Sequence, residues 1–310
     1  MFLAINWNPD GILFDLGFFQ IRYYSLMFVI AFILGWYITK YIFNRENIPL
    51  VKLDKLFIYS VLAILIGARL GHFLFYEPEA FIDRPLEVFL PFKFSPFKFV
   101  GFSGLASHGA AIAMIIAMFI YRRKHLPNPS LLWILDRVVI PISLGAAFVR
   151  FGNFMNSEIV GKVTDASYGV RFLRNLDDIS SREVMRATGK TDLNEGYNLI
   201  ENNENFIEIL NQIPIRHAAQ LYEAIGYVFV FSILMYVYWK TKHYKKEGFL
   251  FGLFLTLLMT VRFFVEFVKE AQVDERSEWL LNTGQWLSIP FVLIGLYFMF
   301  LKKQKTVTEE

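Results

Sequence analysis

The stretch AAFVRFGNFMNSEIVG, residues 146 to 161, places an arginine, two asparagines and a glutamate directly after an apolar run. The run before it is long and apolar enough to lie in lipid. Charged side chains at that depth are rare, because each costs about 2.5–3.5 kcal/mol on insertion scales. Arg150, Asn153, Asn156 and Glu158 are therefore candidates for a functional site.

The composition of the whole chain is that of a membrane protein. The 310 residues are 55% hydrophobic and 18% aromatic, and the mean hydropathy is +0.41. Apolar runs near the roughly 20 residues that cross a bilayer recur along the chain. Because backbone in lipid must satisfy its own hydrogen bonds, we predict an all-α polytopic membrane protein, a single integral membrane domain over residues 1–310, with about seven transmembrane helices. The predicted spans are residues 21–43, 56–76, 104–121, 131–150, 218–239, 249–268 and 284–301.

The charge and the cysteine content argue against several classes of function. A net charge of +3 is too small to indicate nucleic-acid binding, and we expect no such partner. The chain has no cysteine, so a thiolate metal site and a cysteine nucleophile are excluded, and any reacting thiol belongs to the substrate. We predict no metal site and no cofactor. The first residues lack a basic region and a small-residue cleavage site, so we expect mature protein there and no signal peptide.

The basic residues between the spans predict the orientation. Lysines and arginines concentrate after the first, third, fifth and seventh spans. These connections are expected in the cytoplasm, with the N-terminus outside and the C-terminus inside. Residues 151–216 then form a small external subdomain, inserted between the fourth and fifth spans.

Further ionisable residues lie within or at the ends of predicted spans, and the most prominent have structural interpretations. Arg262 and Glu266 are four residues apart, on one helix face, where they can form a self-neutralising ion pair. Arg69 can equally extend its charge toward water. His108 can bond a neighbouring carbonyl. Likewise, Asn153 and Asn156 can cap the next segment, and Tyr24 can belong to an interfacial aromatic belt.

The combination favours a functional interpretation. By the predicted topology, Arg150, Arg262 and His108 all lie in the outer half of the bilayer. Two arginines at that depth indicate an anionic ligand, since guanidinium groups match phosphate with paired hydrogen bonds. The natural anion at that depth is a phospholipid head group.

Motifs along the chain resemble those of the prolipoprotein diacylglyceryl transferases. The stretch RFGNFMNSEIVG resembles the arginine–asparagine signature of this family. Further matches follow the family's order: RYYSLMF, GARLGHFLFY and SHGA before the signature, and IRHAAQLYEA, RFFVEF and GQWLSIP after it. The resemblance implies a transferase of the bacterial cytoplasmic (inner) membrane, active in the first step of lipoprotein maturation. Such an enzyme moves sn-1,2-diacylglyceryl from phosphatidylglycerol to the lipobox cysteine thiol of a prolipoprotein, forming a thioether and releasing glycerol phosphate.

The resemblance also implies roles for individual residues. Arg150 and Arg262 occupy phosphate-binding, catalytic positions. His108 occupies the essential histidine position, where it serves as a base for the thiol or as a head-group ligand. Further head-group-binding positions are Asn153, Asn156, Glu158 and Tyr24. Supporting positions are Arg69, Gly161, Gln220, Tyr222, Glu223 and Glu266.

Three other functions are alternatives. An anion transporter or flippase would need a polar path through the cytoplasmic half and a repeated architecture. A non-enzymatic scaffold would leave Arg150 and Arg262 unexplained. Another phospholipid-using transferase is the nearest enzymatic alternative.

Overall fold

The computed structural model describes residues 5–17, 20–90, 92–94, 97–99, 104, 106–270 and 281–301. The chain divides into two compact units. The first unit comprises Met1–Gly35 and Val139–Glu310, and the second unit comprises Trp36–Val138.

Helices make up most of the described residues. In chain order they are α1 (Tyr23–Arg45), α2 (Leu50–Tyr76), α3 (Ala80–Asp83), α4 (Pro85–Phe89), α5 (Ser107–His125), α6 (Leu131–Met155), α7 (Ser181–Thr188), α8 (Leu193–Asn202), α9 (Ile207–Gln212), α10 (Ala219–Lys240), α11 (Phe249–Val265) and α12 (Thr283–Leu296). A π-helical turn, Tyr297–Leu301, continues α12. Short strands complete the fold: β1 (Ile5–Trp7), β2 (Ile12–Asp15), β3 (Gln20–Arg22), β4 (Phe92–Phe94), β5 (Phe97–Phe99), β6 (Val170–Phe172) and β7 (Ile215–Arg216).

Four of the described helices are long and apolar enough to cross a membrane. They are α1, α6, α10 and α12 with its extension, and α11 is apolar but shorter, at 17 residues. Large apolar side chains such as Ile33, Phe229 and Leu293 are more than half exposed on these helices, as expected for surfaces that face lipid. The chain is therefore an all-α membrane protein, and the count of seven spans stays a prediction.

The end of the fourth span differs from the predicted bound. We expected the apolar helix to stop at Arg150, but α6 continues to Met155. The polar motif thus occupies the last turns of the helix. Hydropathy falls at Arg150, whereas helical backbone hydrogen bonding does not depend on apolar side chains.

Residues 156–218 form a series of short elements with a core of their own. Sparse apolar side chains gather into one buried cluster: Leu173, Ile179, Val184, Tyr197, Ile200, Leu210 and Ile213. Strand β6 lies between β1, to which it is parallel, and β7, to which it is antiparallel. The N-terminal strand is thereby held against the segment that follows α6.

In the second unit, α2 and α5 pack closely through glycines. A Cβ atom on Gly109 would lie 2.1 Å from the carbonyl oxygen of Gly67 and 2.6 Å from the Cα of Gly71. Because no side chain fits there, the two helix backbones can approach each other closely. Gly109, directly after His108, is therefore a helix-packing position.

Candidate functional site

The signature motif ends α6 in a strained turn. The N–H groups of Glu158 and Ser157 donate to the carbonyl oxygens of Asn153 and Phe154, both at 3.1 Å, which is the Schellman pattern of a helix C-terminus. Ser157 has φ +55° and Ile159 has φ +58°. Left-handed backbone at a β-branched residue is unfavourable, and such strain is concentrated at functional sites in proteins.

Glu158 is the centre of a polar network built from this turn. Its Oε1 accepts from Nδ2 of Asn153 at 2.7 Å and from Nδ2 of Asn156 at 3.4 Å. Its backbone oxygen accepts from Nε2 of Gln220 at 2.7 Å. The Tyr24 hydroxyl accepts a side-chain hydrogen bond from Asn153. The structure therefore brings together five residues that the sequence singled out.

Gly152 allows Tyr24 to lie against the motif. A Cβ atom on Gly152 would be 2.7 Å from Cδ2 of the Tyr24 ring. Any larger residue would displace that ring, so this glycine is required by close approach.

Arg150 pairs with a buried carboxylate on α10. Its Nε lies 2.6 Å from Oε2 of Glu223, whose side chain is only 1% exposed. Arg150 also hydrogen-bonds the side chain of Tyr227. The guanidinium group is thus held in place by two residues from one face of α10.

Arg262 is less fully paired. Its Nε lies 3.7 Å from Oε1 of Glu266, which is beyond hydrogen-bond length. Glu266 instead accepts from Nζ of Lys269 at 3.1 Å and from Nδ2 of Asn282 at 3.0 Å. The self-neutralising pair of Arg262 and Glu266 therefore forms only as a long contact.

Both arginines lie within electrostatic range of the same buried tyrosine. Tyr227 is 4% exposed, and Arg150, Arg262 and Glu223 all act electrostatically on its hydroxyl group. Tyr227 follows Glu223 by one helical turn, on the same face of α10. Sequence reasoning missed Tyr227, although its spacing from Glu223 was a signal that could have found it.

Several residues of the signature turn, of the Glu158 network and of the arginine pairs carry unpaired polar atoms. Within the described residues, the buried side-chain atoms that lack a hydrogen-bond partner include Asn153 Oδ1, Ser157 Oγ, Gln220 Oε1, Glu223 Oε1 and Arg262 Nε. Buried polar groups are normally paired in folded proteins. Unpaired polar atoms on these residues are typical of a site built for a polar ligand.

Comparison with known proteins decides the family. The family model of prolipoprotein diacylglyceryl transferase matches residues 11–301. The chain belongs to the prolipoprotein diacylglyceryl transferase family. Three similar relatives are named phosphatidylglycerol–prolipoprotein diacylglyceryl transferase. The one from Bacteroides fragilis is 41% identical over 311 residues, covering 98% of each chain. Those from Tolumonas auensis and Chloroherpeton thalassium are 36% and 35% identical, over 96% and 99% of this chain and 98% and 97% of their own.

Gly161, a predicted supporting position, lies at a crowded junction. A Cβ atom there would lie 2.7 Å from the carbonyl oxygens of His217 and of Val268. The Gly161 carbonyl accepts from Arg216, which also binds Asp178 through Nε at 2.8 Å and Glu270 through Nη1 at 2.9 Å. Burial by itself lowers the pKa of Arg216. The two carboxylates outweigh this effect, so the net pKa is raised. Arg216 thus stays charged at the point where the segments after α6, α7–α9 and α11 meet.

The other predicted family positions have separate surroundings. Tyr222 lies with its hydroxyl 3.3 Å from Nδ1 of His217. Arg69, in the second unit, is buried and donates to the carbonyl oxygens of Glu87 at 2.6 Å and Val88 at 3.2 Å. The alternative in which Arg69 extends toward water is therefore wrong, because its charge binds the end of α4.

His108 is the second residue of α5, and its side chain is exposed. It makes no hydrogen bond to the other described residues of the second unit. An exposed imidazole is accessible to a substrate, so the interpretation of His108 as a residue that bonds a neighbouring carbonyl has no support in the described part of that unit.

Proposed function

We propose that this chain transfers sn-1,2-diacylglyceryl from phosphatidylglycerol to the lipobox cysteine of prolipoproteins. Membership of the transferase family and the names of the relatives support the lipid and the protein substrate. The observation that supports the site most directly is that Arg150 and Arg262 both act electrostatically on the buried Tyr227. Two cations around one point suit a single phosphate.

In the proposed reaction, the substrate thiolate attacks the sn-3 carbon of the lipid glycerol. A carbon–sulfur bond forms, the carbon–oxygen bond to phosphate breaks, and glycerol phosphate leaves with the bonding electrons. Arg150 and Arg262 stabilise the charge that grows on the departing phosphate. No electron acceptor is needed.

The thiol must lose its proton, because the thiolate is the nucleophile. We assign this proton to His108, whose exposed imidazole can accept it. Head-group binding by His108 is the alternative role.

The Glu158 network holds the glycerol end of the head group in this proposal. Asn153 and Asn156 fix the Glu158 carboxylate, Tyr24 bonds Asn153, and Gln220 fixes the Glu158 backbone. The unpaired oxygens of Asn153 and Gln220 can accept hydrogen bonds from the head-group hydroxyls.

The membrane arrangement is also part of the proposal. Seven spans, corresponding to α1, α2, α5, α6, α10, α11 and α12, cross the bacterial cytoplasmic membrane, with the N-terminus outside and the C-terminus in the cytoplasm. Residues 151–216 form an external subdomain. The alternating basic connections support this orientation.

The test is a reconstituted reaction with defined substrates. Purified protein, phosphatidylglycerol and a lipobox peptide should yield diacylglyceryl peptide, measured by mass spectrometry, and an equal amount of glycerol phosphate. A peptide with serine in place of cysteine should give no product, which separates this reaction from other phospholipid-dependent transfers. Absence of product, where the Bacteroides fragilis relative processes the same mixture, would contradict the proposal.

A further inference from the structure

A buried lysine lies beside the candidate site and has no part in the proposed reaction. Lys269 follows α11, and its side chain is 4% exposed. Its ammonium group contacts Oε1 of Glu266 at 3.1 Å. Lysine is rarely buried without a specific partner, so this pairing calls for an explanation.

Both oxygens of the Glu266 carboxylate are bonded on the side of Lys269 and α12. Lys269 binds Oε1, and Nδ2 of Asn282 donates to Oε2 at 3.0 Å and to the backbone oxygen of Glu266 at 2.9 Å. Asn282 is itself fixed by the capping box of α12. Gly284 leaves room for the carboxylate, because a Cβ atom there would lie 2.4 Å from its Cδ. Glu266 is therefore held in one position.

Arg262 lies just outside hydrogen-bond reach of this carboxylate. Its Nε is 3.7 Å from Oε1 and has no hydrogen-bond partner among the described residues. Two cations thus share one carboxylate, and the nearer cation is Lys269. The neighbouring Glu270 does not compensate, since it pairs with Arg216.

We propose that Lys269 is a positioning residue that keeps Arg262 available for the lipid phosphate. By satisfying the charge of Glu266, Lys269 prevents that carboxylate from closing on the guanidinium group of Arg262. Without Lys269, Glu266 has Arg262 as its cation and neutralises it. This inference rests on the proposed function, in which Arg262 binds phosphate.

The ammonium group can be tested apart from the backbone around it. The N–H of Lys162 donates to the carbonyl oxygen of Val268 at 2.7 Å, and Gly161 and Lys269 form a backbone bridge. These bonds hold the segment and do not involve the Lys269 side chain. A substitution by methionine, of similar length, removes the charge and leaves them in place.

The experiment measures KM separately for phosphatidylglycerol and for the lipobox peptide. Lys269→Met should raise KM for the lipid by roughly tenfold or more, as expected for loss of one charge-assisted hydrogen bond. KM for the peptide should change by less than about twofold. A purely structural role would lower the active fraction, and hence kcat, without a selective change in the lipid KM. Lys162→Met is the matched control, because it removes an exposed positive charge from the adjoining segment, and it should leave both constants unchanged.

The double variant Lys269→Met/Glu266→Gln carries the decisive result. It removes the carboxylate that would capture Arg262, so its lipid KM should return to within about threefold of wild type. It contains no unpaired buried carboxylate, so it remains measurable if the single variant fails to fold. A lipid KM in the double variant still raised about tenfold, or an unchanged lipid KM in Lys269→Met, would overturn the inference. Absence of diacylglyceryl transfer by the wild-type protein would instead contradict the proposed function itself.

Discussion

Substitution of Arg150 by lysine should abolish most activity while the protein still folds. Arg150 uses Nε for Glu223 at 2.6 Å and also bonds Tyr227, which leaves the rest of its planar fork for a ligand. Lysine keeps the charge and can still neutralise the buried Glu223. It has a single nitrogen, however, and cannot hold Glu223 and a phosphate with the same geometry.

The expected loss follows from the bonds removed. One hydrogen bond to a charged group contributes about 1.5–3 kcal/mol, which corresponds to a rate roughly 10- to 150-fold lower. Arg150→Ala is a poorer variant, because it leaves the buried Glu223 carboxylate unpaired, at a cost of about 3–5 kcal/mol in stability.

The assay is the initial rate of diacylglyceryl transfer to a lipobox peptide, with the thermal midpoint measured on the same samples. Arg182→Lys is the matched control, because Arg182 is an exposed arginine on α7, and it should retain the wild-type rate. The reasoning is refuted if Arg150→Lys keeps more than half of the wild-type rate at a similar thermal midpoint.

Three further substitutions test other parts of the site. Gly152→Ala should displace the Tyr24 ring, since the new Cβ would lie 2.7 Å from it. An overpacking cost of about 1–3 kcal/mol should lower both the thermal midpoint and the transfer rate, and wild-type values of both would show that the ring is free to move. Tyr227→Phe removes the hydroxyl that Arg150 bonds. Transfer should slow by up to about tenfold, for a loss of about 0.5–1.5 kcal/mol, and an unchanged rate at limiting phosphatidylglycerol would contradict that contact. His108→Gln should remove the group that accepts the thiol proton, so the rate should fall across the pH range, whereas wild-type rates would rule out a base.

The helix positions could be predicted because they depend on local runs of apolar residues. Helices α10 and α11 begin within one residue of the starts predicted for the corresponding spans. The end of α6 could not be predicted from hydropathy, because the helix continues through polar residues until Ser157 adopts left-handed backbone. The core of residues 156–218 could not be predicted either, since its apolar side chains are widely spaced in the sequence.

The arginine–asparagine motif could be singled out from the sequence because unusual polar residues in lipid are a strong local signal. The partners of the arginines were harder to predict. Glu223 and Arg150 lie on different helices, and only the folded chain shows them in contact. Tyr227 looked like an ordinary aromatic residue of an apolar span, and Lys269 looked like a loop lysine. Their burial beside Arg150 and Arg262 depends on tertiary packing, which residue spacing alone does not specify.

The most direct test of the account is the position of phosphatidylglycerol in an experimental structure of the lipid-bound protein. We predict that oxygen atoms of the lipid phosphate lie within about 3 Å of guanidinium nitrogen atoms of both Arg150 and Arg262. A well-defined phosphate bound by neither arginine, or by one with the other directed away, would contradict the account.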